Sequence, residues 1–430
     1  MKNNPAFALL PLVLVLIIQS CGGNAQKAAV KVPKSNYIFS TVKEIPAFPV
    51  TNQGQSGTCW SFSTTSFLES EIIRLKGEKI KLSEMYFVRS AYLLKAQNYI
   101  LRQGTARFTE GGLNHDPIIS LAEFGLVPQS EYTGLTGGKT QHNHFKMFGA
   151  LDSIAKKYAD PVNKLGVGWR QEMPPAIERF MGKAPDEFQY DRNTYTPASF
   201  LAYTQIKPED YLTITSFTHV PFYKSFVLSI PANWAYERFY NLPLDEFMEN
   251  IDRAIDAGFS LALDLDASEP TFSAEQGIGV LPEKEEDGKL ILTDIRPEKK
   301  VTQQTRQDAF ERFNTTDDHL MHIVGKVKDQ NGNIYYKCKN SWGPQNGQEG
   351  FMYLSVAFLK MKGISVLLHK DGLTDLTRRK LSLVDKTLLL TPLRHLTQPL
   401  IMNLFINNLK GDSTHRPIGS KRIGFSTLSL

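Results

Sequence analysis

The stretch "TNQGQSGTCWSF", residues 51–62, holds one of only three cysteines in a chain of 430 residues. From Cys59 onward the run "CWSFSTTSFLESEIIRLKGEK" places Phe62, Ser66, Glu69 or Phe67, Ile72 and Leu75 at helical spacings and ends in Lys76-Gly77, a helix stop. A cysteine in the first turn of a helix faces unpaired backbone amides and the positive end of the helix dipole. Both lower the thiol pKa and favour the nucleophilic thiolate. Gly54 and Gly57 let the backbone turn sharply and come close to a ligand. Gln53, six residues before the cysteine, carries a side-chain amide suited to donate to a developing oxyanion beside the Cys59 backbone N–H.

A nucleophilic thiol needs a base, and among nine histidines His319 has the best setting. It sits in "TTDDHLMHIVGKVKDQNGNIYYKCKNSWG", residues 315–343, where an apolar run and a "DQNGN" turn predict a hairpin. The second strand leads to Asn340, 21 residues after His319. Asn340 can accept from the imidazole and hold it in one tautomer, while the indole of Trp342 shields that bond from water. In the same alternating run Cys338 reads as a small buried core residue. A Cys59–Cys338 disulfide is the competing expectation for an exported chain. His319-x-x-His322 puts the two rings on opposite faces of a strand, so no zinc site is expected there, and no other metal constellation is found.

The order Gln53, Cys59, His319, Asn340, together with N-Q-G-x-x-G-x-C-W-S-F, D-H-x-x-x-x-V-G and K-N-S-W-G followed by G-Q-E-G-F-M-Y-L, resembles the papain-like cysteine peptidases. The resemblance implies Cys59 as nucleophile, His319 as general acid/base, Asn340 as its orienter and Gln53 as oxyanion donor, with no cofactor. It also implies that Gly111 and Gly112, in "EGGLNHDPIISLAEFGLVPQSEYTG", expose backbone groups to a bound peptide. The residue three before the nucleophile is Ser56, and the interval from Cys59 to His319 is 260 residues. Both are similar to the bleomycin hydrolase, or aminopeptidase C, branch. That branch forms hexamers, and its C-terminus lies in the cleft and limits it to the amino end of substrates.

The implied fold is α+β and two-lobed, a helical lobe and a β-rich lobe with the cleft between them, carrying a large insertion at about 136–230. With 41% hydrophobic and 22% charged residues the chain reads as globular. The net charge of +5 comes from residues 384–430 and Lys2, leaving residues 3–383 neutral and without the basic stripe that nucleic acid requires. Residues 1–21 read as a signal: an apolar run from Ala6 to Ile18, too short to span a membrane comfortably, ends in Ile18-Gln19-Ser20-Cys21, which resembles a bacterial lipobox with Cys21 as the lipidated residue. A plain signal peptide is the alternative, and both send the protein out of the cytoplasm. Residues 22–36 read as a tether, 37–383 as the peptidase domain and 384–430 as an atypical extension.

Within the domain the expectation is a strand-like segment at Tyr37 to Val50, helices at Leu82–Leu101 and Pro117–Phe124, and a second half beginning with a helix near Leu244 and the strand "SLALDLD". The expected activity is hydrolysis of peptides by a membrane-anchored aminopeptidase. The long extension keeps an endopeptidase or dipeptide-releasing enzyme as the alternative, beside a peptide-binding protein that has lost catalysis and a transferase using the same thioacyl intermediate.

Overall fold

A computed structural model describes residues 35–383; the readings of Cys21, of residues 1–34 and of the extension 384–430 lie outside the described residues. Of the expected tether, Ser35 and Asn36 are described, and Asn36 is fastened to the domain: its backbone N–H donates to Thr293 O at 2.7 Å and its amide to Asp294 at 2.7 Å.

The first part of the domain is largely helical. After β1 (Ser40–Glu44) come α1 (Cys59–Lys76), α2 (Glu84–Leu101), α3 (His115–Phe124), α4 (Phe145–Ala159) and α5 (Trp169–Met181), then a hairpin of β2 (Phe188–Tyr190) and β3 (Asn193–Tyr195), and α6 (Pro197–Thr204). β1 is shorter than its sequence suggests because Pro46 and Pro49 cannot donate to a ladder. α2 starts after Ser83, whose hydroxyl accepts from the Tyr86 N–H at 3.0 Å. α1 ends as expected, at Gly77 with φ 73°, a conformation that favours glycine.

The second part supplies a large sheet: β4 (Tyr211–Thr215), β5 (Ser225–Val227), β6 (Arg238–Asn241), β7 (Leu261–Leu265), β8 (Phe272–Ser273), β9 (Ile278–Gly279), β10 (His319–Lys328), β11 (Ile334–Lys339), β12 (Phe351–Ser355) and β13 (Gly363–His369). The strand order is β5-β6-β4-β13-β7-β10-β11-β12-β9-β8, with β1 added to β10. α7 (Leu244–Asp256) and α8 (Val356–Lys362) lay apolar residues onto this sheet. The region expected as one insertion, 136–230, therefore divides. Up to Thr204 it joins the helical core through Met147, Leu151, Met173, Ile177 and Phe200, whereas Tyr211–Thr215 is an integral strand paired with β13.

Residues Cys59 to Ile72 of α1 are all buried. The helix is wedged between the helical core and the sheet, so it has no solvent face along that length. Three of its serines find partners on both sides: Ser61 donates to Glu84 O at 2.7 Å, Ser70 to Pro46 O at 2.8 Å, and Ser66 Oγ lies 2.9 Å from both His322 Nδ1 and Lys339 Nζ, whereas the Ser63 and Thr65 hydroxyls are buried without a partner. Glu69, fully buried, accepts from Leu82 N at 3.0 Å and pairs with Lys81 at 2.8 Å, which ties α1 to the start of α2. These partners are needed because a buried polar group without one costs about 1–3 kcal/mol.

Strand alternation sorts β7 and β10 by face. Leu261, Leu263, Leu265, Met321 and Ile323 enter the core of the β-rich side, while Ala262 and Leu320 join the core that contains α1. Asp264, paired with Leu320 in register, belongs to the same face as Ala262.

Candidate active site

Cys59 is the first residue of α1 and is only 8% exposed. Its sulfur lies against β10, where the Leu320 backbone N–H and the Trp60 N–H both favour its charged form. Burial outweighs them and pushes the thiol up to about 11, with Asp264 and Asp318 adding to the rise. His319, at the start of β10 and 4% exposed, is pushed down to about 4 by burial against the opposing effect of its bond to Asn340. The expectation that the helix terminus alone would hold a thiolate is therefore corrected: at this depth desolvation is the larger effect. A charge on either group is disfavoured by itself, and the charged pair is reached by moving the thiol proton to the imidazole.

Asn340 follows β11 directly. The hairpin pairs His322 with Lys339, and continuing that register carries Asn340 and Trp342 alongside His319. His319 Nε2 and Asn340 Oδ1 are 2.8 Å apart. Asn340 Oδ1 also accepts from the Ser341 N–H at 2.8 Å, which fixes the amide with its oxygen toward the ring. The imidazole then carries its proton on Nε2 and leaves Nδ1 as the basic nitrogen. The Trp342 ring lies 4.5 Å from the His319 ring, centroid to centroid, and Phe272 stands edge-on to both. This is the shielding arrangement read from the sequence.

Gln53 is knitted into the same corner. Its backbone N–H donates to Ser341 O at 2.9 Å and its Oε1 accepts from Ser341 Oγ at 2.5 Å. Nε2 donates to Ser56 O at 2.6 Å, which occupies one of its two hydrogens. Cys59 and Cys338 are both free and buried, and they sit in different cores, which rules out the disulfide. His322 bonds Ser66 and packs on Phe67, on the other face from His319.

Gly111 and Gly112 lie beside Trp60, whose indole N–H donates to Glu110 O at 2.9 Å. A side chain at Gly112 would meet Asp116 Oδ2 and, at 3.1 Å, the Trp60 ring, so the close approach itself requires glycine. The Gly111 carbonyl is already taken by the Lys95 ammonium, which also donates to Thr109 O at 3.2 Å. Lys95 went unnoticed in the sequence, although a lone lysine inside the apolar helix "SAYLLKAQ" is the signal of a buried cation with a task. Asp264 was missed in the same way: a carboxylate at an inward position of "SLALDLD" marks a polar spot in a sheet face.

A groove of about 1100 Å³ runs along the helical side past Gly57, Glu110, Gly111 and Arg107, with Lys139 and Phe145 on its far wall. Cys59 and His319 lie outside its lining, so the groove adjoins the catalytic corner without containing it.

Comparison with known proteins agrees with this geometry. Residues 38–140 match the papain family cysteine protease model, and residues 172–392 match the model of the peptidase C1-like family. The chain is 23% identical to aminopeptidase C of Streptococcus thermophilus over 387 residues, covering 79% of this chain and 84% of that protein. It is 25% identical over 389 residues to aminopeptidase G of Lactobacillus delbrueckii subsp. lactis, covering 78% and 84%. PepW from Lactobacillus rhamnosis superposes with a TM-score of 0.61 at 19% identity, covering 80% of this chain and 84% of PepW, which establishes the papain-like α+β fold. With more than half of its length matched by one family model, the chain belongs to the peptidase C1-like family and is a cysteine-type peptidase.

Proposed function

We propose that this protein is a cysteine aminopeptidase of the bleomycin hydrolase type, which removes residues from the amino end of peptides. The observation that carries it is the 2.8 Å bond from Asn340 to His319, at the start of the strand whose next N–H faces the Cys59 sulfur. The names of the relatives supply the exopeptidase part of the reading.

The Cys59 thiol passes its proton to His319 Nδ1, and the sulfur attacks the scissile carbonyl carbon. The carbonyl oxygen, now negative, accepts from the Cys59 backbone N–H and from the free N–H of Gln53 Nε2. His319 returns the proton to the leaving nitrogen as the C–N bond breaks, giving a thioester and a shortened peptide. Water, deprotonated by His319, then attacks the thioester, releases the amino acid and restores the thiol. The reaction needs no cofactor. Asn340 keeps the ring aligned through both proton transfers, and Trp342 keeps water from their hydrogen bond.

The test uses the full chain under reducing conditions, with a free-amine aminoacyl fluorogenic substrate, its N-acylated counterpart and a Cys59→Ala control. Activity on the free amine that disappears in the control supports the reading; cleavage of the N-acylated substrate at equal rate would make the enzyme an endopeptidase. Export with lipidation at Cys21 is part of the same proposal, supported by the apolar run that ends at that residue. Labelled palmitate incorporated by wild type and absent from Cys21→Ala is the expected result. Assembly into hexamers, implied by the family resemblance, is read from the mass of the purified protein.

A further inference from the structure

One wall of the groove that adjoins the catalytic corner is held from behind by a buried cation. Lys95, on α2, is 1% exposed, and its ammonium donates to the Thr109 carbonyl at 3.2 Å and to the Gly111 carbonyl. The carbonyl between them, of Glu110, accepts from the Trp60 indole of α1 at 2.9 Å. Three successive carbonyls are thus committed to side chains of α1 and α2. The Gly111 N–H and both backbone groups of Gly112 have no partner among the described residues, and Gly111 lines the groove.

The same segment is tied to the loop that carries the nucleophile. Glu110 Oε2 accepts from the Gly57 N–H at 2.7 Å, two residues before Cys59. Beyond the glycines, Asp116 Oδ2 accepts from the Leu113 N–H at 3.2 Å and from the Trp234 indole at 2.7 Å. Lys95 is therefore the anchor at the back of a wall whose front reaches the catalytic loop.

A charge at this depth is not what packing alone selects. The ammonium lies 5.4 Å from the Trp60 ring and 5.8 Å from each of the Tyr92 and Trp234 rings. Burial lowers its pKa; Asp116 and Glu110 oppose the fall, and Arg107 adds to it. An apolar side chain of similar length would fill the space without that desolvation cost. It could not hold two carbonyls two residues apart, whereas an ammonium brings three donors and charge-assisted bonds roughly twice as strong as neutral ones.

We propose that Lys95 is a positioning residue for substrate binding: by fixing residues 109–111 it holds the unpaired backbone groups of Gly111 and Gly112 in place for the main chain of a bound peptide. Lys95 itself touches no substrate. Because the fixed wall binds ground state and transition state alike, its loss lowers affinity rather than chemistry. The inference rests on the peptidase reading and holds for cleavage at the amino end or within a chain.

The experiment compares full-length wild type and Lys95→Met on an unblocked alanine tetrapeptide, which an exopeptidase or an endopeptidase can cut. KM should rise about tenfold or more in Lys95→Met while kcat stays within about threefold. A merely structural lysine would lower the amount of folded enzyme, and with it kcat, and leave KM unchanged; that result overturns the proposal. Lys95→Gln, which loses the charge with a shorter side chain, takes the place of Lys95→Met if that variant does not fold, with the same rise in KM expected. A second arm measures calorimetric binding of the tetrapeptide to Cys59→Ala, with and without the Lys95 substitution. Binding to Cys59→Ala that weakens about tenfold or more with the substitution supports the role even if wild type cleaves nothing, in which case the aminopeptidase reading alone fails. Equal affinities, or no binding to Cys59→Ala, overturn it.

Discussion

His319 Nε2 stands 2.8 Å from Asn340 Oδ1 across a hairpin whose turn separates the two residues by 21 positions. The pairing fixes the tautomer and opposes the fall in the imidazole pKa that burial imposes. In Asn340→Ala both effects are lost, so less of the pair exists as thiolate and imidazolium. We expect kcat to fall by about tenfold to a hundredfold. The rate of Cys59 alkylation by iodoacetamide between pH 6 and 8 should fall with it, and equal alkylation rates in the two proteins would show that Asn340 does not govern the proton on His319.

Gln53 uses one amide hydrogen on Ser56 and its oxygen on Ser341, so its side chain is held before substrate arrives. Removing a preorganised oxyanion donor costs on the order of a hundredfold or more in kcat. Gln53→Ala is expected to show that loss with little change in thermal midpoint. Full activity in this variant would assign the oxyanion to backbone donors alone.

Gly112→Ala inserts a methyl group toward Asp116 and Trp60, and Asp116 is held in place by Trp234 and Leu113. The clash should destabilise the fold by about 1–3 kcal/mol. Calorimetric unfolding measures it, together with an increase in KM as the peptide-facing backbone shifts. Gly111→Ala, whose added carbon would meet only Thr109 Oγ1 in ordinary contact at 3.9 Å, is the matched control for stability.

Asp264 has its pKa raised in the folded state by burial and by Asp317 and Asp318. A carboxyl that holds its proton when folded and loses it when unfolded makes the fold less stable as pH rises above the unfolded value of about 3.9. The slope is about 1.4 kcal/mol per pH unit until the folded group also ionises. Asp264→Asn lacks this slope, so its thermal midpoint should gain on that of wild type between pH 4 and pH 7. A difference independent of pH would mean that Asp264 is ionised in the native protein.

Much of the catalytic set is legible in the sequence because it is carried by local devices. A helix N-terminus places Cys59, a hairpin returns the chain to Asn340, and Gly77 stops α1 where the apolar spacing ends. The boundaries that differed did so for reasons outside local spacing. Prolines shortened β1, and Tyr211–Thr215 joined the main sheet by pairing with β13, a partner some 150 residues away in sequence.

The sequence by itself determined the identity and order of Gln53, Cys59, His319 and Asn340, since periodicity, turn chemistry and residue type are local properties of the chain. Only the tertiary structure decided the electrostatics. Burying α1 between a helical core and a sheet reverses the expected shift of Cys59, because desolvation depends on everything packed around the sulfur. The same packing buries Asp264 within electrostatic reach of Asp317 and bonds Ala232 to Asp317 and Trp234 to Asp116, from positions that no local pattern relates.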